Sequence, residues 1–207
     1  LKANFTGKDQ YARTPNDVLE ILRDRFNGGK EFFDPCPIDP TFDGLSIPWP
    51  TDEGVYCNPP YNNLPAWMAK VVAEARRGSK DRTIVCLIPN RTDVNWYHDL
   101  VMAHASKVYF IKQGVRFNNT QNKPYNRKCP FPVCVALFDK HRQGSLVCES
   151  IDFYEKEKEA LRLRIEKNKN KRKRYKNKIH DKQKKIQELK EKSNLAPHAR
   201  EEVSPLV

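Results

Sequence analysis

The order of residues along this 207-residue chain calls for an α/β protein with a mostly parallel sheet and a basic helical extension. Short β-branched runs alternate with stretches of helical period over the first two thirds of the chain, the pattern of strand–helix–strand units. Beyond residue 150 apolar residues thin out and lysine and arginine take over. The expected organisation is a domain over residues 1–150, a helical or coiled-coil-like extension over 151–194 and a disordered tail over 195–207. In that tail Pro197 and Pro205 interrupt any regular structure.

Thr14-Pro15-Asn16-Asp17 opens the first helix, with Thr14 read as N-cap and Pro15 as first helical residue. Val18, Leu19, Ile21, Leu22 and Phe26 recur at helical spacing, and Gly28-Gly29 ends the pattern. Glu31 to Asp34 reads as a short strand. Residues 35–54 hold five of the fifteen prolines and read as a long irregular segment. Val55 to Asn58 is the next strand, and Ala66 to Ala75 a helix ending at Arg76-Arg77-Gly78. Thr83 to Ile88 is a β-branched run suited to a buried parallel strand and stopped by Pro89. Asn95 to Ala105 reads as helix and Lys107 to Ile111 as strand. Phe131 to Phe138 is a last strand, paired with its neighbour or at an edge. Ligands of such sheets sit beyond the carboxyl ends of the strands. Asp34, Asn58 and Pro89 all fall at ends of that kind.

The net charge of +12 points to a polyanionic partner, and its distribution is uneven. Residues 155–192 hold 17 Lys/Arg and 7 Asp/Glu, a net of +10, which leaves +2 for the remainder. In heptads, Lys158, Ile165, Arg172, Ile179 and Ile186 take one seam position, and Leu161, Asn168, Tyr175, Lys182 and Leu189 the other. Six of these ten are apolar, counting Tyr175, so the extension reads as a partly solvated helix, a weak coiled coil or a charged tail. Self-association or a partner helix is expected only through this segment. No apolar run approaches 18 residues, and the start Leu1-Lys2-Ala3-Asn4 does not read as a signal peptide, so no membrane partner is expected. The six cysteines form no C-x-x-C pair. Cys57 and Cys86 read as small buried residues, and the spacing of Cys129 and Cys134 suits zinc poorly, so reduced thiols and no metal are expected.

Asn58-Pro59-Pro60-Tyr61, at the end of an apolar strand, is the most informative run. A carboxamide oxygen and the carbonyl of a rigid proline can both accept from an exocyclic amino group. An aromatic ring two residues on offers a stacking face. The plain alternative is a proline turn closing a strand, with Tyr61 as packing.

The motif resembles the amino-methyltransferase signature of DNA N6-adenine methyltransferases. The order Thr14-Pro15, Phe33-Asp34-Pro35-Cys36, Gly44-Leu45-Ser46 with Trp49, Tyr56 to Tyr61 with Trp67, and Leu87-Ile88-Pro89 is similar to the small phage-type (Dam-like) enzymes. The likeness covers about residues 13 to 139. It implies a shortened Rossmann-like methyltransferase sheet and S-adenosyl-L-methionine as cofactor. The substrate it implies is double-stranded DNA with the target adenine flipped out of the stack. It also implies catalytic roles for Asn58, Pro59, Pro60 and Tyr61, and cofactor contacts from Thr14, Pro15, Asp34, Pro35, Cys36 and Asp39. Asp34 would serve the methionine amino group, and Asp39 or Asp43 the ribose. The chain departs from the family pattern in having Asp34-Pro35-Cys36-Pro37 where a glycine-rich turn is usual. Trp49 and Trp67 are expected in the core. Arg91, Lys112 and Arg116 follow strand ends and could meet phosphates, with Asn118 and Asn119 in a polar loop, residues 114–128, as candidate for target recognition. The same pocket would also suit RNA adenine, cytosine N4 or a protein amide, and a non-catalytic nucleic-acid-binding subunit is the reading from another class. A bacterial or viral host cytoplasm, or a nucleus, is the setting the resemblance implies.

Overall fold

The computed structural model describes residues 12–119, 121–140 and 145–194. The expected tail over 195–207 and the start at residues 1–4 lie outside these. The chain divides into two compact units, Leu1–Phe153 and Tyr154–Val207.

In the first unit five strands form one mixed sheet: β1 (Val55–Cys57), β2 (Thr83–Pro89), β3 (Lys107–Ile111), β4 (Val133–Asp139) and β5 (Val147–Ile151). Their spatial order is β1-β2-β4-β3-β5. The outer pairs β1–β2 and β3–β5 are parallel, and β4 runs antiparallel between β2 and β3. Four strands therefore share one direction, but two of the four pairings are antiparallel. The sequence-based reading of a mostly parallel sheet holds for four of the five strands, and β4 pairs with its neighbour β3 as one of the two readings expected, but it is neither the last strand nor at an edge. Six of the seven β4 residues are buried, so the strand could not sit at a solvated edge. The expected strand over Glu31–Asp34 shrinks to one parallel bridge, Phe33 to Val55, because Pro35 and Pro37 lack the N–H groups that would extend the ladder.

Helix α1 (Asn16–Phe26) lies on the sheet face that carries Tyr56 and Tyr109: Thr14 just before it bonds Tyr56, and Phe26 packs on Tyr109 at 5.3 Å between centroids. Gly28 and Gly29 adopt φ of 59° and 77°, and the Gly29 N–H returns to the Arg23 carbonyl, which ends the helix as expected. Helix α2 (Leu64–Arg77) covers the opposite face. Its Leu64, Trp67, Met68, Val71, Val72 and Ala75 recur at helical spacing and share one core with Cys57, Cys86, Cys134 and Ala136. A helical stretch with π geometry, Tyr97–Met102, falls inside the expected helix and buries Tyr97 and Val101 in the same core. Trp49 and Trp67 are core residues, as expected.

A polar cluster braces the proline-rich segment against α2. Glu74 is 4 % exposed and meets Lys70 at 2.9 Å and Arg77 Nε at 2.9 Å. Arg77 also donates to the Trp49 carbonyl, and the buried Arg82 donates to the carbonyls of Glu74 and Glu53. Burial alone would raise the Glu74 pKa, but Lys70 and Arg77 hold it below the ordinary glutamate range. A carboxylate whose folded pKa is depressed contributes stability above its unfolded pKa, and that stability disappears as pH falls through the folded value. Urea unfolding followed from pH 7 down to pH 3 is therefore expected to show a loss below the glutamate range that Glu74→Gln lacks. At neutral pH the same substitution is expected to lower stability.

Candidate active site

The four co-directional strands put Asn58, Asn90 and Lys112 at one edge of the sheet, with Asp34 beside them after the Phe33 bridge. A cavity of about 500 Å³ opens at this edge. One wall is Ala12 to Thr14 with Leu19 of α1. The second is the proline-rich stretch from Asp34 to Gly44, and the floor is Tyr56, Asn58, Pro60 and Trp67.

Asn58 is held from the N-terminal side. Its Nδ2 donates to the Ala12 carbonyl at 3.2 Å and to Thr14 Oγ1 at 3.3 Å. Thr14 Oγ1 in turn shares a 2.6 Å hydrogen bond with the buried Tyr56 hydroxyl. With the nitrogen committed as donor, Oδ1 is the acceptor end left for the cavity, and no donor to it is found among the described residues. Thr14 is thus not the N-cap expected from sequence. Pro15 takes that position without a side-chain cap, and the threonine hydroxyl serves the site instead.

The proline-rich wall has no room to spare. A Cβ on Gly44 would come within 1.9 Å of the Pro35 carbonyl oxygen, so only glycine lets the segment fold back there. Trp49 Nε1 donates to the Gly44 carbonyl at 2.7 Å and fixes the fold-back. Asp34 accepts from the Cys36 N–H at 2.9 Å. Its carboxylate is reached by solvent yet sits within the crevice, and the partial desolvation raises its pKa despite that hydrogen bond. Cys36 and Cys57 lie with sulfurs 3.8 Å apart. Their mutual contact and burial push the Cys36 thiol well up, so it is neutral at physiological pH. All six cysteines are free thiols.

Of the sequence candidates, Thr14, Asp34, Pro35, Cys36, Asn58 and Pro60 meet on the cavity wall. Pro15 and Pro59 are buried, and their side chains do not line it. Asp39 is exposed, 3.8 Å from Arg13. Asp43 reaches the wall, but its oxygens accept from the Leu45 N–H and the Ser46 hydroxyl. Tyr61 starts a 3-10 turn, packs against Phe131 at 5.8 Å and buries a hydroxyl that has no partner among the described residues. Arg91 is paired with Asp93, and Lys112, Arg116 and Asn119 stand off the wall. Asn118 exchanges two 2.8 Å backbone hydrogen bonds with Arg13, and its side chain holds Asn122 at 2.9 Å. Asn122, at φ 59°, reaches the wall and so brings the 114–128 loop to the cavity. Sequence reading missed Ala12, Arg13 and Phe42, while Asn122 belongs to the 114–128 loop named there as candidate for target recognition.

Among the described residues no cluster of histidine, cysteine and carboxylate could hold a metal, and no helix is long and apolar enough to cross a membrane.

The fold and cavity define an α/β protein with an acceptor-lined ligand crevice at the carboxyl edge of its sheet. A family model described as DNA N-6-adenine-methyltransferase (Dam) matches residues 6–173. The chain belongs to that family of DNA adenine methyltransferases. A search of curated proteins finds no match.

Two substitutions test the site's internal wiring. Thr14→Val leaves the buried Tyr56 hydroxyl and one donor of Asn58 unpaired, so it is expected to lower stability by about 1–3 kcal/mol in denaturant unfolding. Tyr61→Phe removes a buried hydroxyl without a partner and is expected to leave stability unchanged or raise it by up to about 1 kcal/mol.

Proposed function

We propose that this chain transfers a methyl group from S-adenosyl-L-methionine to the exocyclic N6 of an adenine in double-stranded DNA, at a specific site and with the base flipped into the crevice. The sheet would be a shortened Rossmann-like methyltransferase sheet, its missing glycine-rich turn replaced by the Asp34 to Gly44 wall. The observation that carries the reading is the orientation of Asn58, whose amide nitrogen is occupied and whose oxygen is available as an acceptor.

The crevice suits the cofactor in size and in donor set. Pockets for ligands of this class measure about 300–1,000 Å³. Asp34 and Arg13 both line the crevice, where Asp34 would accept from the methionine ammonium and Arg13 would meet its carboxylate. Ile38 and Phe42 offer apolar surface to the adenine ring of the cofactor, and Asp39 or Asp43 would reach the ribose. When bound, the cofactor supplies a methyl group made electrophilic by its sulfonium.

The protein's own task is to prepare the nucleophile. The lone pair of an adenine amino group is delocalised into the ring. Accepting hydrogen bonds from that group to Asn58 Oδ1 and the Pro59 carbonyl draws the nitrogen toward tetrahedral geometry and turns its lone pair to the methyl carbon. Pro60 keeps the turn rigid. Tyr61 stacks on the extruded base, which requires its ring to turn away from Phe131. Arg91, Lys112 and Arg116 hold phosphates, and Asn118 and Asn119 act with the 114–128 loop in target recognition.

Radiolabelled methyl transfer to unmodified DNA is the direct test. Asn58→Ala is expected to reduce turnover about 10²-fold or more while calorimetry shows cofactor binding retained. Transfer that survives this substitution would refute the role of Asn58, and absence of cofactor binding by the wild type would refute the reading as a whole. A cation held by Asp34 needs the ionised carboxylate. Cofactor affinity is therefore expected to fall as pH drops toward the raised Asp34 pKa, above the ordinary aspartate range, and Asp34→Asn should flatten that dependence.

A further inference from the structure

The second unit contains helix α3 (Glu155–Asn194), 40 residues long. Its central part has a charge arrangement unlike the rest of the chain. Residues 167–178 hold eight lysines and arginines and no acid. At 3.6 residues per turn these eight fall on two opposite lines. Lys167, Lys171, Arg174 and Lys178 make one; Lys169, Arg172, Lys173 and Lys176 make the other. The strip between them on one side carries Asn170 and Asn177. The strip on the other side carries Asn168 and Tyr175, continuous with Leu161, Ile165, Ile179 and Ile186. All of residues 167–178 are exposed. Acids return only outside the block, at Glu155, Glu157, Glu159 and Glu166 before it and at Asp181, Glu188 and Glu191 after it.

We propose that residues 167–178 form a second DNA-binding element, seated in the major groove of duplex DNA. The basic lines face the two flanking phosphate strands, and Asn170 and Asn177 face base edges. The dimensions agree: a helix with side chains is about 10–12 Å across and the groove about 12 Å wide. Seven residues of rise separate the two asparagines by about 10 Å, close to three base steps of about 3.4 Å. Asparagine is the side chain that matches adenine's major-groove edge with two hydrogen bonds. A second copy of this chain fits the helix less well. Pairing along the apolar seam would bring Arg172 and Lys182 face to face with their counterparts, and a net of +10 against another +10. Within the block, four like-charged pairs at i,i+4 (Lys167–Lys171, Lys169–Lys173, Arg172–Lys176, Arg174–Lys178) repel one another, and only Lys169 and Lys178 have an acid at i,i+3 spacing, Glu166 and Asp181 at the block's two ends. A polyanion removes that repulsion, so binding and helix content are coupled. The choice of DNA among polyanions rests on the methyltransferase reading above; the charge geometry does not.

The test is anisotropy titration of the full-length protein with duplex DNA at several salt concentrations. Changing either basic line to glutamine (K167Q/K171Q/R174Q/K178Q or K169Q/R172Q/K173Q/K176Q) is expected to weaken binding about tenfold or more at 0.1 M salt and to flatten the log–log salt slope by about 2–4. N170A/N177A is expected to keep the salt slope but lose preference for duplexes containing A·T pairs over all-G·C duplexes. Circular dichroism of the wild type should show helix content rising on addition of duplex. Three results would overturn the proposal. One is an equal loss from K182Q/K184Q/K185Q/K190Q, which would mean diffuse charge. Another is equal binding to heparin or single strands together with no effect of N170A/N177A. The third is a dimer in sedimentation that the glutamine variants dissociate, which would make a second copy the occupant. Asn58→Ala should keep the α3-dependent salt slope even where methyl transfer is lost. Failure of the proposed chemistry and failure of this docking are therefore read separately.

Discussion

The arrangement of the crevice depends on a short chain of hydrogen bonds from Tyr56 through Thr14 to Asn58 and on to the Ala12 carbonyl. A carboxamide has a donor end and an acceptor end, and rotating it exchanges them. Here rotation would set Oδ1 against the Ala12 carbonyl, which can only accept, and lose that bond at a net cost of about 1 kcal/mol, whereas the Thr14 hydroxyl can pair with either end. The orientation is therefore imposed from outside the strand that carries Asn58. The imposing segment is itself tied down, since Arg13 exchanges backbone hydrogen bonds with Asn118. The N-terminal segment, the end of β1 and the polar loop that reaches the cavity through Asn122 thus behave as one connected unit.

The opposite wall answers a different constraint. A glycine-rich turn between strand and helix lets a ligand approach backbone amides closely, and this chain has prolines there instead. Prolines keep the segment stiff but supply no N–H donors, so the wall must be held by other groups. Gly44 allows the segment to fold against Pro35, Trp49 locks that contact, and Glu74 with Arg77 and Arg82 anchors the far end to α2. A buried ion cluster supports a loop here, and the desolvation of Glu74 is offset by the two cations that hold it ionised.

Much of this was legible in the residues, and the failures have identifiable causes. β2 and β3 follow from runs whose burial and β-branching point the same way, and α1 and α2 follow from their apolar period. β5 was missed because Val147, Cys148, Glu149 and Ser150 are all exposed and carry no apolar alternation. The central place of β4 was not legible, since a local pattern records that a strand is buried but not which neighbours bury it. Asn58 and Asp34 were legible as strand-end residues with chemistry suited to a ligand. The role of Thr14 was not, because its partners lie more than 40 positions away and its own surroundings read as an ordinary helix start. Tyr61 was read from its neighbours in sequence, whereas its ring is placed by Phe131, seventy positions on.

Charge is partitioned along the chain in a way that matches two separate physical tasks. The part outside residues 155–192 carries only +2, and among the described residues the crevice is lined by the carboxylates Asp34 and Asp43 and by one cation, Arg13. Such a crevice favours a cationic ligand beside a neutral base and has little attraction for phosphate. Most of the basic excess, +10, lies on α3. Had the same charges lined the crevice, they would have lowered the Asp34 pKa but repelled any sulfonium brought to it.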